Sequence, residues 1–257
     1  MKLHKLPFIG PFIQHMDQDA RIHSFPQIAR NAVRRVHATI IVNGMDVTVT
    51  RVLTHNAAVI VANHPHDADV LALISCLPDR PDVYLIVNNR FVGLCQNLSK
   101  FLIPVYIEHH KVPKTNTAFK RYLTQKPYSM RSLTPEEEHA KNKESIHRAS
   151  NRLRNGGVIV IFPGRRSIDG HWFSGVGHMV RTAGRHGHIY CMQAHIQGTS
   201  NLDYLRFIPL INRLIPPLTV TFAKPVQVTK MWDDNPKTIT KKLEDRYRRW
   251  VSNLNTR

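Results

Sequence analysis

The chain has 257 residues, room for one α/β domain of ordinary size, and at 42% its hydrophobic content is enough to build a core. Lys and Arg number 36 against 18 for Asp and Glu, a formal charge of +18 before any of the 16 histidines is protonated. Such a surface attracts polyanions, either nucleic acid or anionic lipid, and charge alone does not choose between them. Cys76, Cys95 and Cys191 lie far apart within apolar segments. Their placement argues against a disulfide framework or a CxxC zinc site and for buried thiols in a reducing compartment.

In chain order, the first apolar stretch is Leu6-Pro7-Phe8-Ile9-Gly10-Pro11-Phe12-Ile13. It is too short and too interrupted for a membrane span, which needs about 20 residues. It also lacks the cleavage site of a signal peptide. No later segment is long and apolar enough to cross a bilayer, so any membrane contact is expected to be peripheral. Residues 1–35 read as a helical or irregular N-terminal segment. Two β-prone runs then flank Asn43-Gly44, which predicts a hairpin over 37–50. Apolar runs follow at 57–62, 83–87, 103–107, 158–162, 189–196 and 218–222. Several show no alternation, as expected of strands covered on both faces. Helices are predicted from Asp69 to Leu77, and from the capping box Thr134-Pro135-Glu136-Glu137 to Asn155, where Gly156-Gly157 stops the second one. The pattern is α/β, with a mostly parallel central sheet flanked by helices over residues 36–230.

Residues 231–257 hold a basic amphipathic helix. Ile239, Leu243, Trp250 and Leu254 fall on one side, with Tyr247 near them, while Lys241, Lys242, Arg246, Arg248 and Arg249 fall mostly elsewhere. Such a helix either lies on anionic lipid or packs its stripe on the domain; packing is the commoner outcome.

Two segments carry chemistry. The first, Asn63-His64-Pro65-His66-Asp67-Ala68-Asp69, links a strand to a helix. Ligands of open α/β sheets bind beyond strand carboxyl ends. A turn there brings His64 to Asp69, and an imidazole oriented by a carboxylate takes a proton from a hydroxyl. With 16 histidines the bare spacing arises by chance; the weight comes from the strand end, the Asn and the helix. His64-x-His66-Asp67 is also ligand-rich enough to suggest a metallohydrolase, but the residue four after His64 is Ala68. The second segment is Phe162-Pro163-Gly164-Arg165-Arg166-Ser167, a turn with two arginines at a strand end, suited to a phosphate or simply a solvated basic loop.

In this order the two segments resemble the lysophospholipid and glycerol-phosphate acyltransferase superfamily, with its Asn-His-x4-Asp and Phe-Pro-Glu-Gly-Thr-Arg-Ser motifs. Val42-Asn43-Gly44, Phe173-x-Gly175-x-Gly177, Gln193 to Thr199 and Phe222-Ala223-Lys224-Pro225-Val226 look like further family segments, so the likeness spans roughly residues 30 to 230. The resemblance implies an acyltransferase-type single domain. His64 would act as general base, held in the right tautomer by Asp69, on an acceptor hydroxyl that attacks an acyl thioester of coenzyme A or acyl carrier protein. Asn63, Gly164, Arg165, Arg166 and Ser167 would bind substrate, with His109 or Lys111 standing where the family's second motif has Arg. No metal or other cofactor is implied. Two departures bear on the acceptor: the third motif is one residue short and lacks the family's Glu, and His66 stands where Ser is common.

The expected partners are therefore a lyso-lipid acceptor, an acyl thioester and an anionic membrane surface, with the protein cytoplasmic and peripheral to the inner face. The other readings are a basic nucleic-acid- or lipid-binding protein without catalysis, and the metallohydrolase using His64 and His66. Nucleic acid is not expected, since aromatics interleaved with Arg, a helix-turn-helix and an oligonucleotide-binding pattern are all missing.

Overall fold

The computed structural model describes residues 9–64, 66–92, 95–107, 133–164, 171–184, 188–208, 210–228 and 233–255. In chain order these hold α1 (Ile9–Asp19), α2 (Phe25–Arg35), β1 (Ile40–Asn43), α3 (Val47–His55), β2 (Ala57–Ala62), α4 (Asp69–Ser75), β3 (Val83–Asn88) and β4 (Leu102–Val105). Then come α5 (Pro135–Arg154), β5 (Val158–Ile161), α6 (Gly175–Gly184), β6 (Ile189–Gln197), β7 (Leu218–Phe222), β8 (Val226–Gln227) and α7 (Pro236–Asn255).

Among the described residues the strands form one sheet in the order β1-β7-β6-β2-β5-β3-β4, with β8 beside the first half of β6. β6, β2, β5, β3 and β4 run parallel. β7 is antiparallel to β6, and β1 runs parallel to β7. The expected mostly parallel α/β sheet is what forms.

The unalternating strands bury both faces. In β2, Ala58, Ile60 and Ala62 join Phe25, Ile28, Val49, Leu53 and Leu73 of α2, α3 and α4 in one core. Ala57, Val59 and Val61 join Leu153, Met179, Ile239 and Leu243 of α5, α6 and α7 in the other. Alternate residues of a strand point to opposite faces, so every position of β2 is buried. The α5 boundaries are those the capping box predicts: Thr134 and Glu137 cap reciprocally, and the chain leaves at Gly156 with φ +89°. At the amino edge of the sheet, half-buried Arg80 donates to the carbonyls of Leu53, Asn56 and Gly156 while its fork grips Asp82.

The predicted hairpin does not form. β1 pairs with β7 instead, and the run after Gly44 is α3. Asp46 caps that helix by accepting the Val49 N–H at 2.8 Å, and Val49, Val52 and Leu53 bury one helical face. The β-branched residues of this run were outweighed by a cap and a core. Gly44 serves a different need from a hairpin turn. At φ +73°, a Cβ there would lie 2.1 Å from the Phe222 carbonyl oxygen, so glycine lets the chain pass the end of β7.

The C-terminal helix packs rather than floats. Ile239, Leu243 and Tyr247 are buried, and α7 lies against α6.

Candidate active site

β2 and β5 are parallel neighbours, with Val61 paired to Ile161, so their carboxyl ends finish side by side. His64 stands two residues past β2 and Gly164 three residues past β5. Phe162 joins the two ends: its ring lies 4.7 Å from the His64 ring, the planes 32° apart. Pro163 O accepts the Phe173 N–H at 2.9 Å, which draws the start of the next segment to the same edge.

The turn itself closes on Asp69. That residue opens α4 and is fully buried. Its Oδ2 accepts the His66 N–H at 2.7 Å and lies 3.3 Å from His64 Nδ1. The latter approach is off the line of a hydrogen bond, and Nδ1 has no other partner among the described residues. The His64 side chain keeps 26% of its surface exposed. A reachable imidazole thus stands over a carboxylate that water does not reach.

Asn63, read from sequence as a substrate-binding residue, uses its amide within the protein. Nδ2 donates to Ile196 O and Oδ1 accepts the Ile196 N–H, both at 2.8 Å, clamping β2 to β6 beyond the last pair of their ladder. Gly164 lies at the end of the described part of its loop. Arg165, Arg166, Ser167, His109 and Lys111 lie outside the described residues. Among the described residues no group of three or more His, Cys, Asp or Glu side chains is placed to hold a metal ion.

Several side chains around the turn had no signal in the sequence. Tyr247 of α7 reaches β6, its hydroxyl 2.8 Å from His195 Nδ1, and it also interacts with the Asn63 backbone. Burial pushes the Tyr247 pKa up and holds that of His195 down, so both stay neutral. Tyr204, beyond β6, donates to Asp67 Oδ2 at 2.5 Å. An open groove of about 460 Å³ runs between the end of β7 and α7, lined by Lys224, Arg246, Arg249 and Trp250 with buried Gln193; it does not include His64. The three thiols are buried or half-buried, and desolvation pushes Cys76 and Cys95 up to about 11 and Cys191 up to about 12.

The family model for acyltransferases matches residues 41–196, more than half of the chain. The chain belongs to the acyltransferase family. The matched stretch of this acyltransferase runs from β1 to the end of β6, and so takes in the His64–Asp69 turn, Phe162 and Gly164. Helix α7, with Tyr247, lies beyond it. Among solved structures the acyltransferase is similar in fold to the crystal structure of the 1-acyl-sn-glycerophosphate (LPA) acyltransferase PlsC from Thermotoga maritima. The identity is 16% and the TM-score 0.50, over 95% of this chain and 81% of that one. No curated protein sequence matches the acyltransferase. Among its described residues no helix is long and apolar enough to cross a membrane.

Proposed function

We propose that this acyltransferase moves a fatty acyl group from a thioester, on coenzyme A or acyl carrier protein, to the hydroxyl of a lysophospholipid-like acceptor. The observation that carries the reading is the pairing of half-buried, still reachable His64 with fully buried Asp69 across a strand-to-helix turn, at the sheet edge where α/β proteins bind ligands.

With Nδ1 turned to Asp69, Nε2 is the nitrogen left for the acceptor. It removes the hydroxyl proton as the oxygen attacks the thioester carbonyl carbon. The charge formed on the imidazole is met by the Asp69 carboxylate. When the tetrahedral adduct collapses, the C–S bond breaks, the imidazolium returns its proton to the sulfur, and an ester and a free thiol leave. The thioester is already activated, so the step asks for no metal and no covalent enzyme intermediate. Asn63 acts as a positioning residue, fixing the start of the turn. Gly164, Arg165, Arg166 and Ser167, with His109 and Lys111 from the preceding motif, would hold the acceptor phosphate; a guanidinium fork suits that anion.

A lyso-lipid is met in a membrane. The +18 charge gives reversible attachment to an anionic inner face, at about 1 kcal/mol per basic residue near the surface. Such attachment weakens as salt is raised.

The test is acyl transfer read by mass spectrometry. Wild type and His64→Ala are given acyl-CoA, acyl carrier protein thioester and a panel of lyso-lipids. Diacyl product from wild type alone is expected and identifies the acceptor. Product from both proteins removes His64 from the mechanism, and product from neither, with folded protein, removes the reaction.

A further inference from the structure

The connection from β6 to β7 turns apolar side chains outward. Leu202, Ile208, Leu210, Ile211 and Leu214 are all exposed, Leu210 and Leu214 to 80%. Single exposed apolar residues are ordinary, but five within one short connection make a patch. Leu210 adds a backbone cost. Its φ is +73°, a region leucine enters unfavourably, and a side chain so exposed has no core contact to offset it.

The connection is nonetheless firmly built. Ser200 and Asp203 cap the 3₁₀ helix Asn201–Phe207 reciprocally. Buried Arg206 pairs with Asp203 at 2.8 Å and donates to Pro216 O at 2.6 Å. Phe207 meets Phe12 of α1 edge-on at 5.0 Å. Polar residues that would suit water are thus used inside, to hold apolar ones outside. Tyr204, on the same 3₁₀ helix, is bonded to Asp67 in the His64 turn, so the patch is fixed beside the candidate active site.

Charge selects the occupant. Within the connection Asp203 is already paired with buried Arg206 and no other Asp or Glu follows it before β7, which leaves exposed Arg213 as the charge beside the leucines. A second copy would set Arg213 and a +18 chain against its own like. A bilayer with anionic headgroups offers apolar chains to the leucines and the opposite sign to the arginine. We infer that this connection is a membrane-docking edge: Leu210 and Leu214, flanked by Ile208 and Ile211, enter the acyl region of an anionic bilayer while Arg213 stays at its headgroups. The inference rests on the acyl-transfer reading only for its purpose, which is to bring the His64 turn to an acceptor held in the membrane.

The test uses full-length protein, the double variant Leu210→Gly/Leu214→Gln and His64→Ala, each sedimented with vesicles of phosphatidylcholine containing phosphatidylglycerol. Glycine suits the positive φ at 210 and neither side chain packs in the core, so the double variant keeps its fold, checked by melting temperature. Its vesicle partitioning is expected to fall by about tenfold or more per leucine withdrawn, with turnover of a short-chain, water-soluble acceptor unchanged. His64→Ala is expected to bind vesicles as wild type does. Equal binding by wild type and the double variant overturns the docking edge, as does wild type that ignores vesicles. So does a wild-type dimer that the double variant loses while still binding vesicles. If no acyl transfer is found but the double variant loses vesicle binding, docking stands and the acyl-transfer reading fails.

Discussion

The ring of Phe162 rests against the imidazole of His64, the centroids 4.7 Å apart, and this contact ties the end of β5 to the end of β2 at the point where the proposed chemistry occurs. Its removal should leave the imidazole free to swing. Phe162→Ala is expected to lower kcat by roughly 10- to 100-fold with little change in KM, as misplacement of a catalytic group does. Phe162→Leu should recover most of the loss. Steady-state kinetics on both variants decide, and an unaltered kcat for the alanine variant would show that His64 is held by other means.

Asp69→Asn keeps the volume and the oxygen that accepts the His66 N–H at 2.7 Å, but removes the charge facing His64. The variant should melt near wild type while kcat falls by about 10²- to 10⁴-fold. Full activity would make Asp69 a helix-start residue and nothing more.

Gly177 on α6 passes close under the start of α7: a Cβ there would lie 1.9 Å from Pro236 O and 2.6 Å from Thr240 Oγ1. Gly177→Ala therefore pushes the two helices apart, at a cost of about 1–3 kcal/mol and a fall in Tm of roughly 3 to 10 °C. Gly175→Ala, two residues earlier on α6 with open space around its Cβ position, should leave Tm nearly unchanged and serves as the control. Calorimetry reads both.

His195 and His178 are each held below the ordinary value of 6.5, chiefly by burial. The unfolded chain therefore takes up protons that the folded chain refuses, and stability is complete above pH 6.5 and lost as pH falls through the interval beneath it. His195→Asn, which keeps a polar atom toward Tyr247, should flatten that part of the curve, leaving the share due to His178. Urea titrations between pH 5 and 8 measure it; an identical pH slope in variant and wild type would contradict the burial.

The elements most legible in the sequence were those in which local signals agree. Ala57 to Ala62 and Val158 to Phe162 are apolar at every position because both faces of the sheet are covered. Helix α5 announces both its ends through Thr134 and Gly156. The His64–Asp69 turn was also readable, since strand, turn and helix are contiguous. Asn43-Gly44 misled because a hairpin signal is local, whereas the partner of β1 is β7, some 180 residues away. Distance hid the rest of the site as well. Tyr204 meets Asp67 across 137 positions and Tyr247 meets His195 across 52, and no spacing rule reaches that far.

The clamp between Asn63 and β6 uses the main chain of Ile196, not its side chain. The dependence between the two positions therefore runs one way. Residue 196 can be exchanged for any side chain but proline that fills its place, because each brings the same amide and carbonyl. Residue 63 has no such latitude: an aspartate lacks the donor, a leucine lacks both groups, and a glutamine overshoots by a methylene. Among descendants of this chain, position 63 would stay constant while its partner drifted, and a search for paired changes would find no trace of a contact that joins two neighbouring strands.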